Sequence, residues 1–367
     1  MILVLHTILL IYCFAIIALI YGFTKVNSFE SLGLKPKTKF SIIVPFRNEG
    51  NNLPKLLDSL SKLKYPFDFF EVILVDDDSE EVFSVQDVVF SVKIINNIRV
   101  SNSPKKDAIT TAMNTAKNEW IITTDADCVV NENWLLALDN YIQINPVSMI
   151  AGAVTYDFTN SFLHHFQQLD LASLQGATMG SFGIGKGFMC NGANLAYQKS
   201  FFEALNGFEG NNKIASGDDV FLLQKAMAKY PNKVHYLKSS NTIVITKPLN
   251  DWKSLFYQRV RWAAKTSSYQ SRIGIGLGLI VFGENLSFLL VIGCWLVGFG
   301  NTYLWCFSLL AKILVDFILI HKTNRFLINE TRFYLISSFL YPFFSVIVVL
   351  YSLFFGKYEW KGRIFSK

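Results

Sequence analysis

Glu119-Trp120-Ile121-Ile122-Thr123-Thr124-Asp125-Ala126-Asp127-Cys128 reads as a short buried strand, Trp120 to Thr124, running straight into two carboxylates one residue apart. Side chains on a strand alternate between faces, so Asp125 and Asp127 are expected to point the same way just past its C-terminal end. In an open α/β sheet that edge is where ligands bind. Two carboxylates held this close repel unless a cation offsets them, and oxygen ligands suit Mg²⁺ or Mn²⁺ bound together with substrate phosphates. Taken alone, an Asp-x-Asp after a strand is more simply a solvated acidic turn, so its flanks have to decide.

Upstream, Phe40-Ser41-Ile42-Ile43-Val44-Pro45 is a continuous apolar run of the kind buried on both faces of a parallel sheet. Pro45 ends it, and Phe46-Arg47-Asn48-Glu49-Gly50-Asn51-Asn52 is a polar turn. Asn52 is placed to cap a helix over residues 53–63, with Leu53, Leu56, Leu57 and Leu60 on one stripe. Phe70-Glu71-Val72-Ile73-Leu74-Val75 is a second such strand, ending in Asp76-Asp77-Asp78-Ser79. Val92 to Ile95 is a third. A helix follows over Lys105–Lys117, with Ala108, Ala112 and Ala116 as its small face. This alternation predicts an α/β, doubly wound sheet whose acids collect at one edge.

Downstream, Trp134–Tyr141 reads as a helix and Met149–Tyr156 as a strand. The glycine-rich stretch from Gly176 to Gly192 reads as a flexible loop around an acceptor rather than a dinucleotide loop, since no strand precedes it. Ser216-Gly217-Asp218-Asp219 opens an amphipathic helix, where acids favour the N-terminus and where a carboxylate could also serve as a general base. In Gln258-Arg259-Val260-Arg261-Trp262, helical spacing lets an amide, a guanidinium and an indole share a face, suited to phosphate or to a membrane interface.

The chain of 367 residues is 51% hydrophobic and 17% charged, against about a quarter charged in soluble domains, and its mean hydropathy is +0.31. The excess sits in residues 1–23 and 273–355. Residues 1–23 are long enough to span a bilayer and lack a basic start or a cleavage site, which predicts an uncleaved anchor. Three apolar segments, near 273–299, 302–320 and 333–355, follow the polar stretch. Lys312 and Asp316, four apart, are expected to pair against another helix. A cytoplasmic polar domain leaves the basic ending outside, so the last segment is either a re-entrant hairpin bent at Pro342 or an exception to the positive-inside tendency. Five scattered cysteines make no zinc or disulfide framework. The net charge of +6 gathers beside apolar segments (Lys25, Lys35, Lys37, Lys39; Lys253, Arg259, Arg261, Lys265, Arg272), which fits a membrane surface and not nucleic acid.

Together the ordered motifs from about Ser41 to Trp262 resemble membrane-bound family 2 glycosyltransferases of the GT-A fold. Ser41 to Pro45 looks like that family's first strand. Asp77 matches its base-contacting carboxylate, with Asp78 standing where glycine is common. Lys105-Lys106 resembles its Gly-Lys segment, with Lys105 in the glycine's place. Asp125-Ala126-Asp127 matches the metal motif and Asp218-Asp219 the acidic pair. Gln258 to Trp262 fits Gln-x-x-Arg-Trp, and Trp360-Lys361-Gly362-Arg363 is similar to a tail of some lipid-directed members.

The resemblance implies inverting transfer of a sugar from a nucleotide-sugar donor, with UDP-sugars the first to test, to a lipid or glycan acceptor. It implies Asp219, supported by Asp218, as catalytic base, and Pro45, Arg47, Glu49, Asp76, Asp77, Lys106, Asp125 and Asp127 as the donor site. Mg²⁺ or Mn²⁺ would lie on Asp127 and Asp125. Gln258, Arg259, Arg261, Trp262 and Asn194 would serve the acceptor or diphosphate. The expected organisation is an anchor at 1–23, a catalytic domain at 36–250, an interfacial helix at 251–272, membrane segments at 273–355 and a basic tail at 356–367, in a multi-pass protein with its catalytic domain cytoplasmic. Other readings are a processive synthase with its own channel, a non-catalytic membrane scaffold that keeps the fold, and a small transporter, for which the polar domain is too large.

Overall fold

The structure is a computed structural model that describes the chain except residues 86, 87, 158, 212, 213, 215, 267, 329, 356, 361, 362 and 367 and the side chains of 357–360 and 363–366. The chain divides into two compact units.

One unit, Asn27–Asp157 with Gly187–Lys247, is built on a seven-stranded sheet. Its strands are β1 (Phe40–Phe46), β2 (Phe70–Asp76), β3 (Ser91–Asn96), β4 (Trp120–Thr123), β5 (Met149–Gly152), β7 (Leu195–Gln198) and β8 (Val234–Leu237), in the order β3-β2-β1-β4-β7-β5-β8. β1 lies between β2 and β4 and is parallel to both. β2 is buried from Phe70 to Val75, as its unbroken apolar run requires. One strand runs against the rest: β7 is antiparallel to β4 and to β5.

Pro45 sits inside β1 without disturbing it. The carbonyl of Ile43 accepts from the Thr124 N–H at 3.1 Å, so Ile43 faces β4, and so does Pro45 two residues on. The β1–β4 ladder ends at Ile43–Thr123, and the N–H that Pro45 lacks has no partner to lose.

The helices α2 (Leu53–Ser61), α3 (Pro104–Thr115), α4 (Trp134–Ile144), α6 (Lys199–Ala204) and α7 (Asp218–Lys229) complete this unit. α2 buries Leu53, Leu56, Leu57 and Leu60, the predicted stripe. Asn52 does not cap it with its side chain; its amide turns back to Glu49. The single strand expected over Met149–Tyr156 is two. At Gly152 a Cβ would lie 2.4 Å from the Asn194 amide. The chain leaves the large sheet there, and β6 (Val154–Tyr156) pairs with β9 (Val244–Thr246).

The other unit, Met1–Val26, Phe158–Lys186 and Pro248–Lys367, is helical. Among the described residues, four of its helices are long and apolar enough to cross a membrane: α1 (Ile2–Lys25), α9 (Arg272–Leu296), α10 (Thr302–Leu327) and α11 (Tyr334–Phe354). α11 runs unbroken through Pro342, at ~31 Å for 21 residues, so the hairpin alternative is excluded. Lys312 and Asp316 do pair, at 2.7 Å, and the Tyr12 hydroxyl donates to Asp316 at 2.5 Å from α1. Of the ending Trp360-Lys361-Gly362-Arg363, Lys361 and Gly362 lie outside the described residues; Lys357–Trp360 pairs antiparallel with Arg363–Ser366.

The glycine-rich stretch corrects the sequence reading most. Up to Gly183 it is not a loop but the end of α5 (Phe162–Gly183), a helix that clusters with the apolar ones although it falls within residues 36–250. A Cβ on Gly183 would sit 1.8 Å from the Gly22 carbonyl oxygen, and one on Gly180 2.3 Å from that of Leu19. These glycines let α5 and α1 touch backbone to backbone, the packing that small residues permit between membrane helices.

Candidate active site

Parallel register brings the ends of β1, β2 and β4 to one edge of the sheet, where the predicted acids gather. The Asp77 N–H donates to the Phe46 carbonyl at 2.9 Å, and Arg47 Nη1 donates to the Asp77 carbonyl at 2.9 Å. Asp76 folds over its own turn, accepting from the Ser79 N–H and hydroxyl at 3.0 and 2.6 Å. Asp78 has φ +64°, a left-handed conformation that explains why glycine suits this position. Asp77 is buried, and its Oδ1 accepts from Asn97 at 2.6 Å and lies 3.4 Å from Arg99. Neither partner was singled out from sequence. Both follow the C-terminal end of β3, which is the signal that could have found them.

Asp125 and Asp127 lie in a turn, with the Cys128 N–H on the Asp125 carbonyl at 3.1 Å, and not on a continued strand. Strand alternation therefore no longer governs them. Asp125 Oδ1 is 2.6 Å from Lys105 Nζ, whereas Asp127 Oδ2 accepts from the Thr246 hydroxyl at 3.1 Å. Burial, then the Asp125 and Glu49 carboxylates, hold the Asp127 carboxyl above its ordinary pKa. A half-buried carboxyl among like charges and hard oxygens fits a divalent cation. Among the described residues no group of three or more His, Cys, Asp or Glu side chains could hold one ion, so further ligands would have to be substrate oxygens or water.

The reversed strand β7 brings in the second acidic pair. Its entry at Gly192 lies beside β4, where the Thr123 hydroxyl donates to the Gly192 carbonyl at 2.8 Å. The Gly192 N–H in turn donates to Asp219 Oδ2 at 2.9 Å. Asp218, buried at the start of α7, lies 3.7 Å from the same Lys105 ammonium. Burial alone would lower the Lys105 pKa, but Asp125, Asp218 and Asp219 outweigh it and hold it above the ordinary lysine range.

Two expected ligands are fixed elsewhere. Lys106 buries its ammonium on the carbonyls of Asn211 and Ile214, at 2.7 and 2.9 Å, and over the Phe221 ring. Adjacent helical residues face different ways, so it is Lys105 that reaches the acids, and Lys106 ties down the approach to α7. Asn194 is a core lock: its amide donates to Ala153 and Thr242 carbonyls at 2.7 and 2.6 Å and accepts from Trp134 Nε1 at 3.2 Å.

In the helical unit, Gln258 to Trp262 lie on α8 (Trp252–Thr266). Gln258, Arg261 and Trp262 are half-buried, while Arg259 is buried against Asp170 of α5. Arg259 is thus held inside its own unit by a carboxylate instead of standing beside Arg261.

A mixed sheet with acids converging at one edge defines a GT-A fold. Residues 41–205 match the family described as Glycosyl transferase family 2. It is similar to the glycosyltransferase AglE of Haloferax volcanii, 23% identical over 190 residues, 51% of this chain and 60% of that protein. The chain thus spans about three-fifths of the length of that curated relative. A mannosyltransferase of Pyrobaculum calidifontis, PcManGT, solved in complex with GDP-mannose and Mn²⁺, shares the fold at a TM-score of 0.60 and 15% identity, covering 95% of this chain and 99% of that one.

Proposed function

We propose that the protein transfers a sugar, with inversion, from a nucleoside-diphosphate sugar to a hydroxyl of a lipid-linked or glycan acceptor at the membrane. The observation that carries this reading is the gathering of Asp77, Asp125, Asp127 and Asp218-Asp219 at one sheet edge. Asp77, oriented by Asn97 and Arg99, accepts from the donor's base, with Pro45, Arg47, Glu49 and Asp76 forming the rim. Asp127 and the neighbouring Asp125 form the cation-binding turn. Bound there, Mg²⁺ or Mn²⁺ would offset the negative charge of the diphosphate.

Asp219 is half-buried at the N-terminus of α7 with one oxygen fixed by the Gly192 N–H. That hydrogen bond orients the carboxylate to take the proton of the acceptor hydroxyl, which attacks the anomeric carbon from the side opposite the diphosphate. Arg261 is assigned to phosphate and Trp262 to the face of an acceptor sugar, with Gln258 beside them. The four apolar helices support a multi-pass membrane protein, and Lys25, Lys35, Lys37, Lys39 and Arg272, next to α1 and α9 on the polar domain's side, support a cytoplasmic catalytic domain.

The test is release of nucleoside diphosphate from a panel of UDP- and GDP-sugars, with Mn²⁺ or Mg²⁺ and with EDTA. One donor should be consumed in the presence of the ion and spared by EDTA. Turnover that ignores EDTA would remove the metal; no turnover with any donor and membrane acceptors would favour a scaffold.

A further inference from the structure

Lys105 occupies the glycine's place in the resembling motif, yet it is the cation at the centre of the acidic edge. Its ammonium lies 2.6 Å from Asp125 Oδ1 and 3.7 Å from Asp218 Oδ2, bridging the turn after β4 and the start of α7. The surroundings are packed around that bridge. A Cβ on Gly192 would lie 3.1 Å from Asp218 Oδ2 and 3.3 Å from Asp219 Cβ, pressing on both acids, and would touch Lys105 Nζ at 3.4 Å. Asp127, two residues from Asp125, turns the other way, to Thr246.

We propose that Lys105 is a built-in counter-cation that occupies Asp125, withholds it from the divalent ion and leaves Asp127 as the metal-binding carboxylate. This rests on the metal-dependent reading above. The same ammonium sets the spacing between the metal turn and the helix that carries the base, which makes Lys105 a positioning residue for both. A fixed positive charge in the cluster also limits how tightly a free divalent ion binds before the donor supplies its phosphates. Removing that charge should therefore tighten metal binding, a sign opposite to that of ordinary structural damage.

The experiment is a Mn²⁺ titration of the full chain in detergent, read by the EPR signal of free Mn²⁺ without donor. Lys105→Met should bind Mn²⁺ about tenfold tighter than the wild type, because one nearby positive charge is lost and Asp125 is released. Lys105→Arg, which keeps the charge, should bind as the wild type does. Equal or weaker binding by a folded Lys105→Met would overturn the proposal. Should that variant fail to fold, Asp125→Asn decides: Mn²⁺ affinity within about threefold of wild type supports the proposal, and a larger loss makes Asp125 a ligand and overturns it. A wild type that binds no Mn²⁺ would overturn the metal reading and this inference together, whereas normal wild-type binding with the wrong response in the variants overturns this inference alone.

Discussion

Arg259 Nε lies 2.5 Å from Asp170 Oδ2, a buried ion pair joining α8 to α5. The same guanidinium is 4.1 Å from the centre of the Trp262 ring and donates to the side-chain amide oxygen Oε1 of Gln258. Arg259 therefore arranges the two side chains between which it lies in sequence. Arg259→Ala would leave the Asp170 charge buried and unpaired, at a cost of about 3–5 kcal/mol. Thermal unfolding in detergent should show a clear loss for Arg259→Ala. Arg259→Lys should recover part of it, since lysine keeps the charge but not the planar fork. A wild-type melting temperature for the alanine variant would deny the pair any structural part.

The contact between α5 and α1 leaves no room for even one methyl. Gly183→Ala should separate the two backbones and cost at least the ~1–3 kcal/mol of an overpacked interior. Gly185, also glycine but with open space around its Cβ position and φ +70°, lies beyond the helix. Gly185→Asn, which tolerates that conformation, should be nearly neutral. Comparable losses from both would mean that the helix contact is not what selects glycine at 183.

Glu71 supplies a pH-dependent part of the stability of the sheet unit. Burial by itself would raise its pKa, but the Lys117 N–H at 2.7 Å, the Ser41 hydroxyl at 2.7 Å and Lys93 at 3.4 Å outweigh it, and the folded value is lowered. A carboxyl with a depressed folded pKa stabilises above its unfolded value, about 4.3, and loses that contribution as pH falls through the lower folded value. Unfolding followed between pH 6 and pH 3 should show this loss for the wild type and a flatter profile for Glu71→Gln. Parallel profiles would sink the assignment.

The strands were legible because β1, β2 and β4 are buried on both faces and so read as unbroken apolar runs. The ends of those strands gave Asp77, Asp125 and Asp127. What the sequence concealed depends on partners far away along the chain. Gly180 and Gly183 look like loop residues until α1 packs against them. Lys105 and Lys106 are indistinguishable by type, and only the turn of α3 sends one to the acids and the other to the carbonyls before α7. Asn194 looked like a polar ligand because its three core partners, Ala153, Thr242 and Trp134, come from separate elements.

In the proposed mechanism Asp219 removes the acceptor's proton while the other acids hold the donor. The most direct measurement is transfer by Asp219→Asn beside donor binding by the same purified variant, using the donor that the panel identifies. Transfer is expected to fall by at least about a hundredfold, the usual worth of a general base, while donor affinity stays near wild type. Transfer at the wild-type rate in Asp219→Asn, with donor bound equally well, would contradict it.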